Sequence, residues 1–152
     1  MKFLKTILML AALALACGSA QAQFNSASFR TGTFSDVPAS VVGSTSSNVL
    51  SSITLGRNQG VAILPYFAGT NAATVGTLKL VWKVSVDNTN WSSPVYTNEF
   101  TATGATAVRP YAFIPASVLS NVRYLQLATI ADTNSDATNR LFLTNVTWSI
   151  VN

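Results

Sequence analysis

The chain has 152 residues, of which 49% are hydrophobic and only 9% charged, with a formal net charge of +4 and no histidine. Such a composition excludes a highly charged disordered chain and, with so few basic groups, a strongly cationic nucleic-acid binder. The only cysteine, Cys17, and both methionines, Met1 and Met9, fall in the first 22 residues.

Those residues read as an export leader. Met1 to Lys5 is a short basic head, and Thr6 to Ala16 is an apolar or small run too short for a permanent membrane span. Ala20-Gln21-Ala22 supplies small residues at the spacing a signal peptidase takes, so cleavage is expected between Ala22 and Gln23. A rival reading comes from Ala14-Leu15-Ala16-Cys17, which resembles a bacterial lipoprotein box with Cys17 as the acylated residue. Ala14 stands where a large aliphatic is usual, which favours cleavage at Ala22. The expected destination is the periplasm, the cell surface or the medium. Cleavage would leave 130 residues with seven basic and five acidic groups, and without thiol or imidazole. No later stretch is expected to span a membrane.

Residues 23–48 are rich in Ser, Thr, Gly and Asn, and are expected to form a loose N-terminal arm with one strand. From Val49 to the C-terminus, short β-branched and aromatic runs alternate with Gly, Asn, Asp and Pro, the texture of a sandwich domain. The expected strands are 49–55, 60–67, 77–86, 95–103, 106–114, 123–130 and 141–151. The clearest is 77–86, where Leu78, Leu80, Trp82, Val84 and Val86 share one face and Lys79, Val81, Lys83 and Ser85 the other. In the last strand, Phe142, Val146, Trp148 and Ile150 are expected on one face, and Leu141, Leu143 and Val151 on the other. Pro115 to Leu119 suits one helical turn. The fold class is therefore all-β: an antiparallel β-sandwich of seven or eight strands, jelly-roll or immunoglobulin-like.

Catalytic chemistry has little to work with. Without Cys or His after the leader there is no Cys–His pair and no Ser–His–Asp triad. Lys79 and Lys83 sit on a wet strand face. The Asp residues lie in turns, where their local backbone bonding already accounts for them. No enzyme activity is expected.

Two binding readings remain. Asp132, Asn134 and Asp136 alternate as oxygen ligands do in the first half of a calcium loop. An EF-hand would need Gly at Ala137 and Glu at Leu143, so only a looser Ca²⁺ site would fit. Trp91, Tyr96 and Tyr111 lie near turns or strand ends, where exposed rings would suit stacking on a glycan, whereas Trp82 and Trp148 are in phase with core aliphatics. Ser85 to Trp91 resembles the Asp-box of sialidases, S-x-D-x-G-x-x-W. Trp91 comes one residue early and the Gly is missing, so the segment is read as a strand–turn–strand join.

The surface must be built mostly from Ser, Thr, Asn and Ala, and low charge lowers the barrier to self-association. The arm could also add a strand to a neighbour's sheet edge. The function expected is an exported, non-catalytic structural or adhesive subunit that meets itself or other surface proteins. A carbohydrate-binding module and a phage virion-type structural protein are the alternatives.

Overall fold

The computed structural model describes residues 30–34, 40–43, 47–48, 51–93, 95–133 and 138–151. The expected leader, with Cys17, Ala22 and Gln23, lies outside them.

Among the described residues there are ten antiparallel strands and no helix. Five form one sheet: β1 (Thr31–Thr33), β2 (Ser40–Val42), β5 (Gly60–Gly69), β8 (Ala112–Ile114) and β10 (Leu141–Val151). Five form the other: β3 (Ser47–Asn48), β4 (Ser52–Thr54), β6 (Val75–Ser85), β7 (Tyr96–Thr103) and β9 (Tyr124–Asp132). The first sheet, called sheet I, runs β1-β10-β5-β8, with β2 further along the same edge of β10. Sheet II runs β3-β9-β6-β7, with β4 further along β9.

Counting β1–β2 and β3–β4 as one interrupted strand each, the sheets have the orders 1-8-3-6 and 2-7-4-5. Every link between these eight units crosses from one sheet to the other, except the β6–β7 hairpin. That is the doubly wound Greek-key order of a jelly roll rather than the order of an immunoglobulin sandwich. The structure thus resolves the two topologies that composition left open.

The strand β6 follows its alternation closely. Leu78, Leu80 and Trp82 are fully buried while Thr77, Lys79, Val81 and Lys83 face outward. The pattern slips at the ends, because Val86 is exposed in the following turn. Facing them from sheet I are Val61, Ile63 and Phe67 of β5 and Leu141, Leu143, Val146 and Ile150 of β10. Phe67 meets Phe100 of β7 edge-on at 6.5 Å, and Phe34 meets Trp82 at 5.8 Å. Such aromatic pairs tie the two sheets together at the middle of the core.

Strand β10 departs from the expected alternation for a local reason. Its register against β5 shifts between Leu143 and Asn145, an irregularity that places one extra residue on β10. Before the shift the odd positions Leu141 and Leu143 point inward; after it the even positions Val146 and Ile150 do. Phe142 therefore does not share a face with Val146 and Ile150, as simple alternation suggests, but turns outward. A bulge reverses inside and outside along a strand. Trp148 is half-buried, and its ring lies beside Gly32, where an added Cβ would come within 2.6 Å of Cζ2.

Pro65 sits in the middle of β5, where a proline is normally excluded. Phe67 exchanges both of its backbone hydrogen bonds with Val108, so alternate residues of β5, Pro65 included, turn their amide position to that side. Pairing there is interrupted between Ala112 and Val108. The missing proton thus falls where no ladder partner waits. The same interruption corrects the expected strand over 106–114, which is paired only as β8 and as the single bridge at Val108. Residues 115–119 form hydrogen-bonded turns, with Val118 N–H donating to Pro115 O and Leu119 N–H to Ala116 O.

The segment expected to hold one strand holds three, and each pairs within this chain. β1 and β2 bond to β10, and β3 bonds to β9.

Candidate interaction face

The two outer faces of the sandwich differ in chemistry. Sheet II presents Thr77, Lys79 and Lys83 from β6, and Thr97, Glu99 and Thr101 from β7. Lys79 and Glu99 stand directly opposite in register and form an exposed ion pair at 3.0 Å. Such a pair contributes little to stability, but the face it sits on is thoroughly wet.

Sheet I presents an apolar stripe instead. Along β5 the outward positions are Leu64, Tyr66 and Ala68, with Phe113 on the β8 side and Phe142 on the β10 side. Leu64 is 36% exposed, and Phe113 and Phe142 are each 38% exposed. The Phe113 ring lies over Gly60, where an added Cβ would meet Cζ at 2.4 Å. The Arg109 guanidinium carbon stacks over the Tyr66 ring at 4.2 Å from its centre, a contact that holds a charge flat against an apolar surface. Tyr111, just before β8, is 64% exposed. Asn145 and Thr147 of β10 stand beside Tyr66 and Leu64 on this face, so its apolar side chains are set among polar ones; apolar groups gathered on one face in this way are a mark of interaction sites.

The three aromatic residues expected to stack on glycans are not brought to one surface by any contact. Tyr96 lies half-buried against the core, and its hydroxyl donates to Phe113 O at 3.4 Å, bridging β7 to β8. Trp91 is half-buried in the β6–β7 connection. Only Tyr111 is widely exposed. Leu64, Phe113 and Phe142 are far apart along the chain, so local pattern does not group them. Alternation puts Phe142 on the face of Val146 and Ile150, because it carries no sign of the bulge.

Of the expected calcium ligands, Asp132 is 2% exposed and ends β9, with Oδ2 accepting the Leu141 N–H at 3.0 Å. Asn134 and Asp136 lie outside the described residues. Among the described residues no group of three or more Cys, Asp or Glu side chains is placed to hold a metal ion, and no helix is long and apolar enough to cross a membrane.

The turn after β6 is organised around Asp87. Its Oδ1 accepts from Ser85 Oγ and from the backbone N–H groups of Thr89 and Asn90, and its Oδ2 accepts from Asn90 Nδ2. The Asn90 backbone N–H, then that of Thr89, then the side chains of Asn90 and Ser85, hold its carboxyl well below the usual carboxylate range. Asn88 takes a left-handed conformation (φ 60°) within this turn, which Asn tolerates better than most residues. The Asp-box-like residues thus form a self-satisfied strand–turn–strand join.

No protein-family model and no curated protein matches the chain. Solved structures resemble it in fold. A chain of the infectious bursal disease virus Gx strain structure superposes with a TM-score of 0.51 at 12% identity, over 80% of this chain and 31% of that one. A chain of the T13 viral particle of the same virus superposes with a TM-score of 0.50 at 10% identity, over 81% of this chain and 31% of that one. The chain thus spans about a third of the length of either, and the likeness is one of fold: a jelly roll of the kind found within an icosahedral virus particle.

Proposed function

We propose that this protein is an exported, non-catalytic structural subunit that assembles by packing the outer face of sheet I against further copies of itself or other surface proteins. The observation that carries the reading is the contrast between the two outer faces, one carrying half-exposed Leu64, Tyr66, Phe113 and Phe142, the other threaded with Thr, Lys and Glu. The low overall charge supports it, since little electrostatic repulsion opposes close contact between copies. The fold likeness to chains of a viral particle supports it as well, in that jelly rolls serve as building blocks there.

The test is light scattering of the purified protein over a range of concentrations, beside the variant Leu64→Lys/Phe142→Lys. The reading expects association that the variant abolishes while its melting temperature stays close to that of the parent. A strict monomer at every concentration would sink it.

A second reading, a virion-type subunit, is favoured by the same fold likeness. The two readings part at the N-terminus: an exported subunit begins at Gln23, whereas one assembled in the cytoplasm keeps its first 22 residues. Intact mass and location of the native product separate them.

A further inference from the structure

The connections β4–β5, β6–β7 and β8–β9 gather at one end of the sandwich. Two of them, residues 55–59 and 119–123, face each other across a cleft of about 700 Å³. Leu55 and Leu119, both buried, lie at its base. Arg57 of the first loop and Arg123 of the second both line it.

The walls are fixed by backbone bonds. Leu55 N–H donates to Arg123 O at 2.7 Å, which joins the two loops, and Arg123 N–H donates to Ser85 O at 3.0 Å. Gly56 N–H donates to Gln59 Oε1 at 2.6 Å. Asn58 and Asn121, one on each wall, hold left-handed conformations with φ 56° and 64°, so each loop turns sharply without a glycine there.

The charge of the cleft is one-sided. Among the described residues, neither Arg57 nor Arg123 has a carboxylate partner. Glu99 is paired with Lys79 on the outer face of sheet II, Asp132 is buried against Leu141 N–H, and Asp87 is held by its own turn. Arg30 adds a third positive group at this end, with Nη2 donating to Thr54 O at 2.6 Å. Two arginines lining one cleft supply the donor forks that suit oxyanions.

We propose that this cleft binds an anionic small molecule through a phosphate, sulfate or carboxylate group gripped between Arg57 and Arg123. Its volume lies in the range of small-molecule sites, roughly 300–1,000 Å³, which leaves room for more than a bare ion. The site stands apart from the apolar face of sheet I and does not depend on assembly through it.

Calorimetric titration of the purified protein at low salt, with inorganic phosphate, inorganic sulfate and acetate in separate runs, tests the proposal. Saturable binding is expected for at least one of the three, and the anion that binds identifies the group. Arg57→Gln/Arg123→Gln should weaken it by about tenfold or more, the scale of losing charge-assisted hydrogen bonds. Arg57→Lys should lose less. Arg109→Gln, which alters only the cation over Tyr66, should bind as the parent does. Both cleft arginines are exposed, so an unchanged circular dichroism spectrum and melting temperature are expected of the double variant. Absence of saturable binding for all three anions, or parental affinity in a folded double variant, overturns the proposal.

Discussion

The Trp82 indole Nε1–H donates to Oδ1 of Asn98 at 2.8 Å, from one strand of sheet II to the next, inside the core. The ring supplies a large apolar surface, but its single donor would be stranded there without the amide. Asn98→Leu leaves that donor unmatched, and should cost about 1–3 kcal/mol, the desolvation penalty of one buried polar group. Trp82→Phe in the same background should recover part of the loss, because it removes the unmatched donor. Denaturant unfolding of the two single variants and the double variant measures this coupling.

Asp87 makes acid stability testable. Its folded-state pKa is lowered, so the folded protein binds fewer protons at this group than the unfolded chain does. The stabilisation is present above the unfolded value, about 3.9, and is lost as pH falls from there through the folded value. Asp87→Asn should therefore flatten the acid limb of the melting-temperature profile below about pH 4 and leave its neutral region nearly level. The group is fully exposed, so the effect should be modest and should shrink with added salt.

The register shift in β10 predicts an unusual tolerance of one deletion. Removing Thr144 would restore plain alternation and keep Leu141, Leu143, Val146 and Ile150 on one inward face, paired one to one with β5. A cooperative thermal transition is expected to persist, whereas removing Thr147, beyond the shift, would put Val146 and Ile150 on opposite faces and should abolish it. Thr144→Ala, which keeps the extra residue, should melt within a few degrees of the parent.

Gly69 lies where the β5–β6 link passes close to the β7–β8 connection. An added Cβ would meet Gly104 O at 2.4 Å and Thr74 Cβ at 2.5 Å. Gly69 N–H also donates to that same Gly104 O at 2.9 Å. Backbone on one side and a buried side chain on the other leave no cheap retreat. Gly69→Ala should destabilise by about 1–3 kcal/mol, in the range of overpacked cores, as read by chemical unfolding.

What could be seen in advance followed from local alternation. The run from Thr77 to Val86 showed a strand because its inward residues are large and its outward ones mostly polar. The strands expected over 95–103 and 123–130 form as β7 (Tyr96–Thr103) and β9 (Tyr124–Asp132). Where pairing overrides alternation, foresight failed. Phe142 reads as facing with Val146 and Ile150 until the bulge beside it is known, and 106–114 reads as one strand although its pairing is interrupted between Val108 and Ala112. The short strands β1 to β3 span only two or three residues each and carry little pattern of their own; their partners on β10 and β9 define them. The apolar stripe combines residues from three strands, and the cleft combines Arg57 with Arg123, so neither could be assembled without the topology. That topology itself depends on which loops cross between sheets, and loop composition is silent on that.

The pairing of Thr31 with Ser149 has a consequence for how the molecule is made. Strand β1 must wait for β10, far later in the chain, before it has a partner, and β2 waits for the same one. Sheet I therefore closes only once β10 is made, and a chain cut short before it would leave one edge of β5 unpaired. Slow maturation, and a need for protection while the polypeptide grows, are built into this ordering of partners.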